Sequence, residues 1–142
     1  MSAGDLYQKA LVEHAKRPRN YGPLPGANGA AEGNNPLCGD ELTVRLRKAR
    51  GRIEEIAFEG IGCAVCIGSA SMMTVAARGL PLQEVNELMQ RIRALLRGEG
   101  AGAILGDLAA LASVVQFPAR VKCASLAWSA LEAALAASPV EL

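Results

Sequence analysis

The chain has 142 residues, a formal net charge of +1 and 51% hydrophobic residues, with aromatic residues at only 4%. This length fits one domain, so a single domain over residues 1–142 is predicted. The balanced charge argues against the concentrated basic face of a nucleic-acid-binding protein, and no apolar run is long enough to cross a bilayer.

The start of the chain lacks the basic segment and apolar core of a signal peptide, so a cytoplasmic location is expected. Four cysteines in a cytoplasmic chain indicate metal binding or thiol chemistry, because the cytosol keeps thiols reduced.

The first predicted helix covers residues 5–16 and ends before Pro18. His14, the only histidine, is expected on the surface of this helix. Residues 20–37 contain four Gly, three Pro and four Asn, which predicts a long irregular loop. Loops of this length are often functional.

A β-hairpin follows the loop. Residues 42–47 alternate between apolar and polar side chains, which predicts a strand with one buried face. Arg50-Gly51 marks the turn, and residues 55–59 continue the alternation in the return strand. Ile53 is out of phase with that strand, which predicts a β-bulge at Glu54.

Helical periodicity dominates the remaining chain, in four segments. The first runs from after Gly62 up to Gly79, and the second covers residues 81–98 after a helix-opening proline. A short helix follows at residues 107–115, and the last helix starts near Arg120 or Val121. Residues 98–103 are rich in glycine and are expected to be flexible. The predicted fold class is α+β, with a small antiparallel sheet of about three strands covered by helices.

The cysteines lie at three separate element ends. Cys38 closes the long loop, Cys63 and Cys66 lie where the hairpin gives way to a helix, and Cys123 lies in the first turns of the last helix. Helix N-termini favour anionic thiolates, the form that binds soft metals. Two interpretations stay open from these positions, a shared metal site and small apolar residues of the core.

Three segments resemble the cysteine motifs of the IscU/SufU/NifU family of iron–sulfur cluster assembly proteins. They are residues 35–40 (Asn-Pro-Leu-Cys-Gly-Asp), residues 58–63 with 69–74, and residues 120–123 with 126–128. Tyr7 and residues 16–21 are similar to the N-terminal helix and loop of the family. The resemblance covers nearly the whole chain and implies an IscU/NifU-like fold.

Details within the resemblance favour the SufU-like branch. Lys122 stands where IscU-type scaffolds carry a histidine, and residues 116–122 differ from the chaperone-recognition motif of that branch. The helical length between residues 81 and 112 resembles an insertion of the SufU branch.

The resemblance implies a function in cluster assembly, as a scaffold or a zinc-dependent sulfur acceptor rather than as a turnover enzyme. It implies that Cys38, Asp40, Cys63 and Cys123 hold Zn²⁺, iron or a transient [2Fe–2S] cluster. The implied partners are a pyridoxal-phosphate-dependent cysteine desulfurase and apo iron–sulfur acceptor proteins.

Roles for individual residues follow from this ligand set. Cys38 is the expected persulfide acceptor because its loop moves most easily, with Cys123 as the alternative. Asp40 is a hard ligand among soft ones, so it is expected to be labile and to help exchange or release. Lys122 and Arg120 are expected to offset the negative charge of the site.

Cys66 departs from the family pattern and creates a Cys-x-x-Cys pair with Cys63. A thioredoxin-like motif belongs in a βαβ unit, which the pattern here does not predict. Cys66 is therefore interpreted as partly buried filler or a spare thiol near the metal. A thiol oxidoreductase using Cys63 and Cys66, and a zinc-stapled interaction module, are the alternative functions.

Overall fold

The structure, a computed structural model, describes residues 3–99 and 106–139. Its elements are α1 (Ala3–Lys16), β1 (Gly29–Asn35), β2 (Asp40–Ala49), β3 (Arg52–Ile61), α2 (Ala64–Ala77), α3 (Leu82–Leu96), a 3₁₀ helix (Gly106–Val114) and α4 (Pro118–Ala137). The predicted α+β class is confirmed. Most of the glycine-rich segment at residues 98–103 lies outside the described residues. Among the described helices, none combines the length and the apolar character that a membrane span requires.

The hairpin between β2 and β3 forms as the local pattern predicts. Arg50 and Gly51 both have positive φ angles, 57° and 71°, as a two-residue hairpin turn of the favoured hand requires. The register shifts opposite Arg47 and Lys48, which pair with Glu55 and Ile53 and leave Glu54 unpaired. The predicted bulge at Glu54 is therefore confirmed.

The prediction of an irregular loop over residues 20–37 is wrong in its second half. Residues 29–35 form β1, which pairs antiparallel with β2 at the edge of the three-stranded sheet. Small residues are needed there because α4 packs closely on this strand. A Cβ at Gly29 would lie 2.6 Å from the carbonyl oxygen of Ala134, and one at Gly33 would lie 3.0 Å from Leu126.

The core lies between the sheet and the helices. The inward side chains of β2 are fully or nearly fully buried, and Trp128 of α4 is 1% exposed. The Trp128 indole donates a hydrogen bond of 3.1 Å to the Ser69 hydroxyl, which itself donates to the carbonyl oxygen of Ala124 at 2.7 Å. These bonds fix α4 against α2, so the N-terminal ends of both helices are held near each other.

The last helix begins slightly earlier than predicted, because Pro118 fits the first turn. The short helix predicted at residues 107–115 is present as the 3₁₀ helix.

The expected surface position of His14 is wrong. Its side chain is buried, and both ring nitrogens have partners: Nδ1 lies 2.8 Å from the Ser71 hydroxyl and Nε2 lies 3.0 Å from an Asp107 carboxylate oxygen. The Ser71 hydroxyl also accepts a 2.8 Å hydrogen bond from the backbone N–H of Arg19. The His14 cluster (His14, Ser71, Asp107 and Arg19) thus ties α1, α2, the 3₁₀ helix and the loop after α1 together.

Candidate metal centre

Three element ends bring the predicted site residues together. Cys38 lies in the turn between β1 and β2, and Asp40 is the first residue of β2. Cys63 is the N-cap residue of α2, directly after β3. Cys123 lies in the second turn of α4, and its side chain is fully buried. The start of β2 with its preceding turn, the start of α2 and the start of α4 therefore meet at one end of the sheet.

The tightest group consists of Cys38, Asp40 and Cys123. One ligand atom from each lies within 4.8 Å of the other two. Cys63 is outside this group, but its thiol still interacts with that of Cys123. Cys63 also donates its backbone N–H to Asp40 Oδ1 at 2.9 Å.

One carboxylate oxygen of Asp40 accepts a hydrogen bond, whereas the other, the orphan oxygen, has no partner among the described residues. The residue is fully buried, yet Oδ2 has no hydrogen-bond partner within the part of the chain that the structure describes. An unpartnered buried carboxylate oxygen carries a large desolvation cost, so native proteins rarely leave one without a ligand. Oxygen and thiolate donors from these residue types are the set that Zn²⁺ accepts, so the residues present fit a metal.

Two residues around the group were not singled out from the sequence. Asn35 is buried, and its amide nitrogen lies 4.0 Å from Cys123 Sγ. Gly62 has no room for a side chain, because a Cβ there would lie 2.8 Å from Asp40 Oδ1 and 3.0 Å from Cys66 Sγ. The position of each in the chain offered a signal, since Asn35 opens the Cys38 motif and Gly62 directly precedes Cys63.

Burial dominates the protonation of two thiols. Burial raises the pKa of Cys66 to about 12, and the negative charges of Asp40, Cys63 and Cys38 add to the effect. Burial also raises the pKa of Cys123, and the neighbouring side chains of Asp40, Cys63 and Cys38 raise it further. At these two positions desolvation opposes the thiolate form that a helix N-terminus favours.

Arg120 supplies positive charge at the site. The charge of Cys63 raises the pKa of the Arg120 guanidinium, and hydrogen bonds with the thiols of Cys123 and Cys63 act in the same direction. Lys122 is exposed and shares a small cavity of about 220 Å³ with Cys38 and Pro118. Arg120 thus lies beside Cys63 and Cys123, whereas Lys122 lies on the side of the exposed Cys38.

Exposed apolar side chains flank the same end. Leu37 is 82% exposed, Ile61 67% and Phe117 53%. Leu37 adjoins Cys38, Ile61 is two residues before Cys63, and Phe117 precedes the first residue of α4. Each of these exposed apolar residues therefore lies close in sequence to a residue of the site.

The sequence of this chain is similar to those of known proteins. Residues 6–139 match the family described as the NifU-like N terminal domain. The chain is 39% identical over 132 residues to the iron–sulfur cluster assembly scaffold protein IscU of Streptococcus pyogenes serotype M1, a match that covers 92% of this chain and 82% of the relative. It is 37% identical over 133 residues to the zinc-dependent sulfurtransferase SufU of Bacillus subtilis (strain 168), covering 92% and 90% of the two chains.

A solved structure has the same fold. The putative iron–sulfur cluster assembly scaffold protein for the SUF system from Fervidobacterium islandicum AW-1 superposes with a TM-score of 0.85 at 30% identity. The match covers 94% of this chain and 99% of the solved chain.

Proposed function

This chain belongs to the family of NifU-like N-terminal domains, and from that premise we propose that it assembles iron–sulfur clusters through a site made of Cys38, Asp40, Cys63 and Cys123. The observation that carries the proposal is the orphan oxygen of Asp40. A fully buried carboxylate with one oxygen left unpartnered among the described residues is costly unless a cation joins it.

Zn²⁺ is the proposed resident metal, with iron or a nascent [2Fe–2S] cluster as the cargo in assembly. When bound, zinc stabilises the thiolate form of its cysteine ligands. Cys63 must move inward to join the other three ligands, since its thiol lies outside their 4.8 Å group. Its side chain makes no capping hydrogen bond to α2 that would oppose this movement.

Cys38 is the proposed sulfur acceptor. It is the exposed thiol of the group, whereas Cys123 is buried. Its thiolate attacks the terminal sulfur of a persulfide on a cysteine desulfurase; a new sulfur–sulfur bond forms on Cys38, and the desulfurase cysteine leaves as a thiolate. A partner can reach Cys38 without unfolding α4, which it cannot do for Cys123.

The proposed docking surface for the pyridoxal-phosphate-dependent desulfurase is the exposed apolar group of Leu37, Ile61 and Phe117. Apo iron–sulfur proteins are the proposed recipients. A cytoplasmic location stays a prediction.

The test uses a desulfurase, free cysteine and each single Cys→Ser variant, followed by mass spectrometry of the trapped persulfide. Persulfide should be lost in Cys38→Ser and retained in Cys66→Ser, which serves as the control for a nearby cysteine. A persulfide that forms fully in Cys38→Ser and vanishes in Cys123→Ser would assign the acceptor role to Cys123 instead.

A further inference from the structure

Cys63 and Cys66 occupy the positions at a helix start that bring two thiols together. Cys63 is the N-cap of α2, and Cys66 is its third helical residue. Residues three apart on a helix have Cβ atoms about 5–6 Å from each other. A disulfide requires about 3.5–4.5 Å, so the backbone at the N-cap must shift by about 1–2 Å to close the gap. Cys63 lies outside the hydrogen-bonded turns of the helix, with extended φ and ψ angles of −68° and 167°, and its side chain makes no capping hydrogen bond that would oppose the shift.

The Cys66 side chain turns back toward the start of the helix. Its Sγ would lie 3.0 Å from a Cβ at Gly62, the residue before Cys63. The sulfur therefore lies beside the backbone that leads into the N-cap. Because Gly62 has no side chain, nothing at that position separates Cys66 from the metal-binding end.

The two thiols also differ in accessibility. Cys63 is half-buried, while Cys66 is fully buried within the core. The Arg120 guanidinium also lies beside Cys63. An external oxidant can therefore reach Cys63, whereas Cys66 is reached from within the protein.

We propose that Cys63 and Cys66 form a reversible regulatory disulfide under peroxide, which withdraws Cys63 from the metal site. The sheet among the described residues is entirely antiparallel, so the pair lies outside the βαβ unit of a thioredoxin-like enzyme. It acts as a modification site of this chain rather than as an oxidoreductase. The withdrawal of Cys63 from the metal rests on the proposed function. The formation of the disulfide does not rest on it.

The chemistry balances with hydrogen peroxide as the oxidant. The Cys63 thiolate attacks one peroxide oxygen, so that a sulfur–oxygen bond forms, the oxygen–oxygen bond breaks and hydroxide leaves. Cys66 then attacks the sulfenic sulfur; the disulfide forms, the sulfur–oxygen bond breaks, and the departing oxygen leaves as water with the Cys66 proton. Two thiols lose two electrons in total, and the peroxide is reduced to two waters.

Trypsin separates this pair from the other cysteines. Cleavage after Arg52 and Arg78 leaves Cys63 and Cys66 together in the peptide 53–78, with Cys38 in the peptide 20–45 and Cys123 in the peptide 123–142. The full chain, zinc-free and zinc-loaded, is treated with hydrogen peroxide, alkylated and digested. Peptide 53–78 is expected without alkylation and about 2 Da lighter than its dithiol form, with no link to another peptide.

The release of zinc by peroxide and its rebinding after reduction measure how strongly the disulfide is coupled to the metal site. In the wild type, peroxide should release zinc, and a thiol reductant should restore full binding. In Cys66→Ser, and in Cys66→Ala as a second variant, the sulfenic acid lacks its resolving thiol and proceeds to sulfinic acid, so reductant should restore only a minor part.

Peptide mapping of the zinc-free wild type tests whether the disulfide between Cys63 and Cys66 forms, and this test needs no variant. If peptide 53–78 is found linked to peptide 20–45 or 123–142, or with both thiols free after Cys38 has been oxidised, the proposed pair is overturned. If the internal disulfide forms but zinc stays bound, the coupling to the metal site is overturned together with Cys63 as a ligand.

Discussion

Two polar clusters in this molecule, one around the buried His14 and one around the buried Asp40, differ in how completely their buried polar atoms are paired. In the His14 cluster, both imidazole nitrogens and the Ser71 hydroxyl have partners within 3.0 Å. In the cluster of Cys38, Asp40 and Cys123, the Asp40 Oδ2 atom has none among the described residues. A fully paired cluster stabilises the fold, whereas an unpaired buried carboxylate oxygen is costly and marks the place where we propose that a metal binds.

The largest expected effect concerns metal at the incomplete cluster. Cys123→Ser should weaken zinc binding by more than about a hundredfold, because even an outer-shell partner costs about 10- to 100-fold. Zinc per chain after purification and dialysis measures this. Cys66→Ser is the matched control, since it removes a neighbouring buried thiol that is not a proposed ligand. Full zinc occupancy in Cys123→Ser would rule out the ligand set.

The next effect concerns stability at the complete cluster. His14→Ala leaves Ser71 with one partner fewer and should lower the free energy of unfolding by about 1–3 kcal/mol. Urea unfolding of the zinc-free proteins measures the change. Asp107→Asn is the milder control, because the Asp107 side chain is 63% exposed. The folded fraction of His14→Ala should keep the zinc content of the wild type, and a loss of zinc there would mean that the two clusters are not independent.

A smaller effect concerns exchange at Asp40. Asp40→Ala leaves three thiols and removes the one hard ligand, so a bound cluster should persist longer. Transfer of a reconstituted cluster to an apo-acceptor protein should slow severalfold, as followed by visible circular dichroism. Equal transfer rates from variant and wild type would show that Asp40 has no part in release.

The smallest expected effect has the opposite sign to that of His14. Asp40→Asn keeps an oxygen that accepts the Cys63 N–H and replaces the orphan oxygen by an amide that donates to a thiol. The zinc-free variant should be as stable as the wild type or more stable by about 1 kcal/mol, while it binds zinc more weakly. Urea unfolding without zinc measures the stability of the fold, and urea unfolding with zinc measures the added stabilisation from zinc binding. A destabilised zinc-free Asp40→Asn would place Asp40 among the structural residues.

The sequence patterns correctly predicted those features of the fold that depend on only a few neighbouring residues. The turn at Arg50-Gly51, the bulge at Glu54 and the start of α3 after Pro81 follow from backbone geometry and alternation within a few residues. β1 escaped prediction because its Gly, Ala and Asn residues read as loop. Their small size is imposed by α4, about 100 residues further along the chain, through the close approach at Gly29.

The site was only partly predictable for a similar reason. The cysteine positions indicated thiol or metal chemistry, but the ligand set came from the resemblance to a family, since spacing alone does not show which element ends meet. His14 illustrates the limit most clearly. Its partners lie 57 and 93 residues away, so an isolated histidine on an amphipathic helix carried no sign of its burial.

The central claim is that three thiols and the orphan carboxylate oxygen belong to one metal shell. X-ray absorption at the zinc edge of the zinc-loaded wild type tests it most directly. The expected shell has three sulfurs at about 2.3 Å and one oxygen at about 2.0–2.2 Å. A shell of four sulfurs, with Cys66 in place of Asp40, or one with fewer than three sulfurs, would contradict the account.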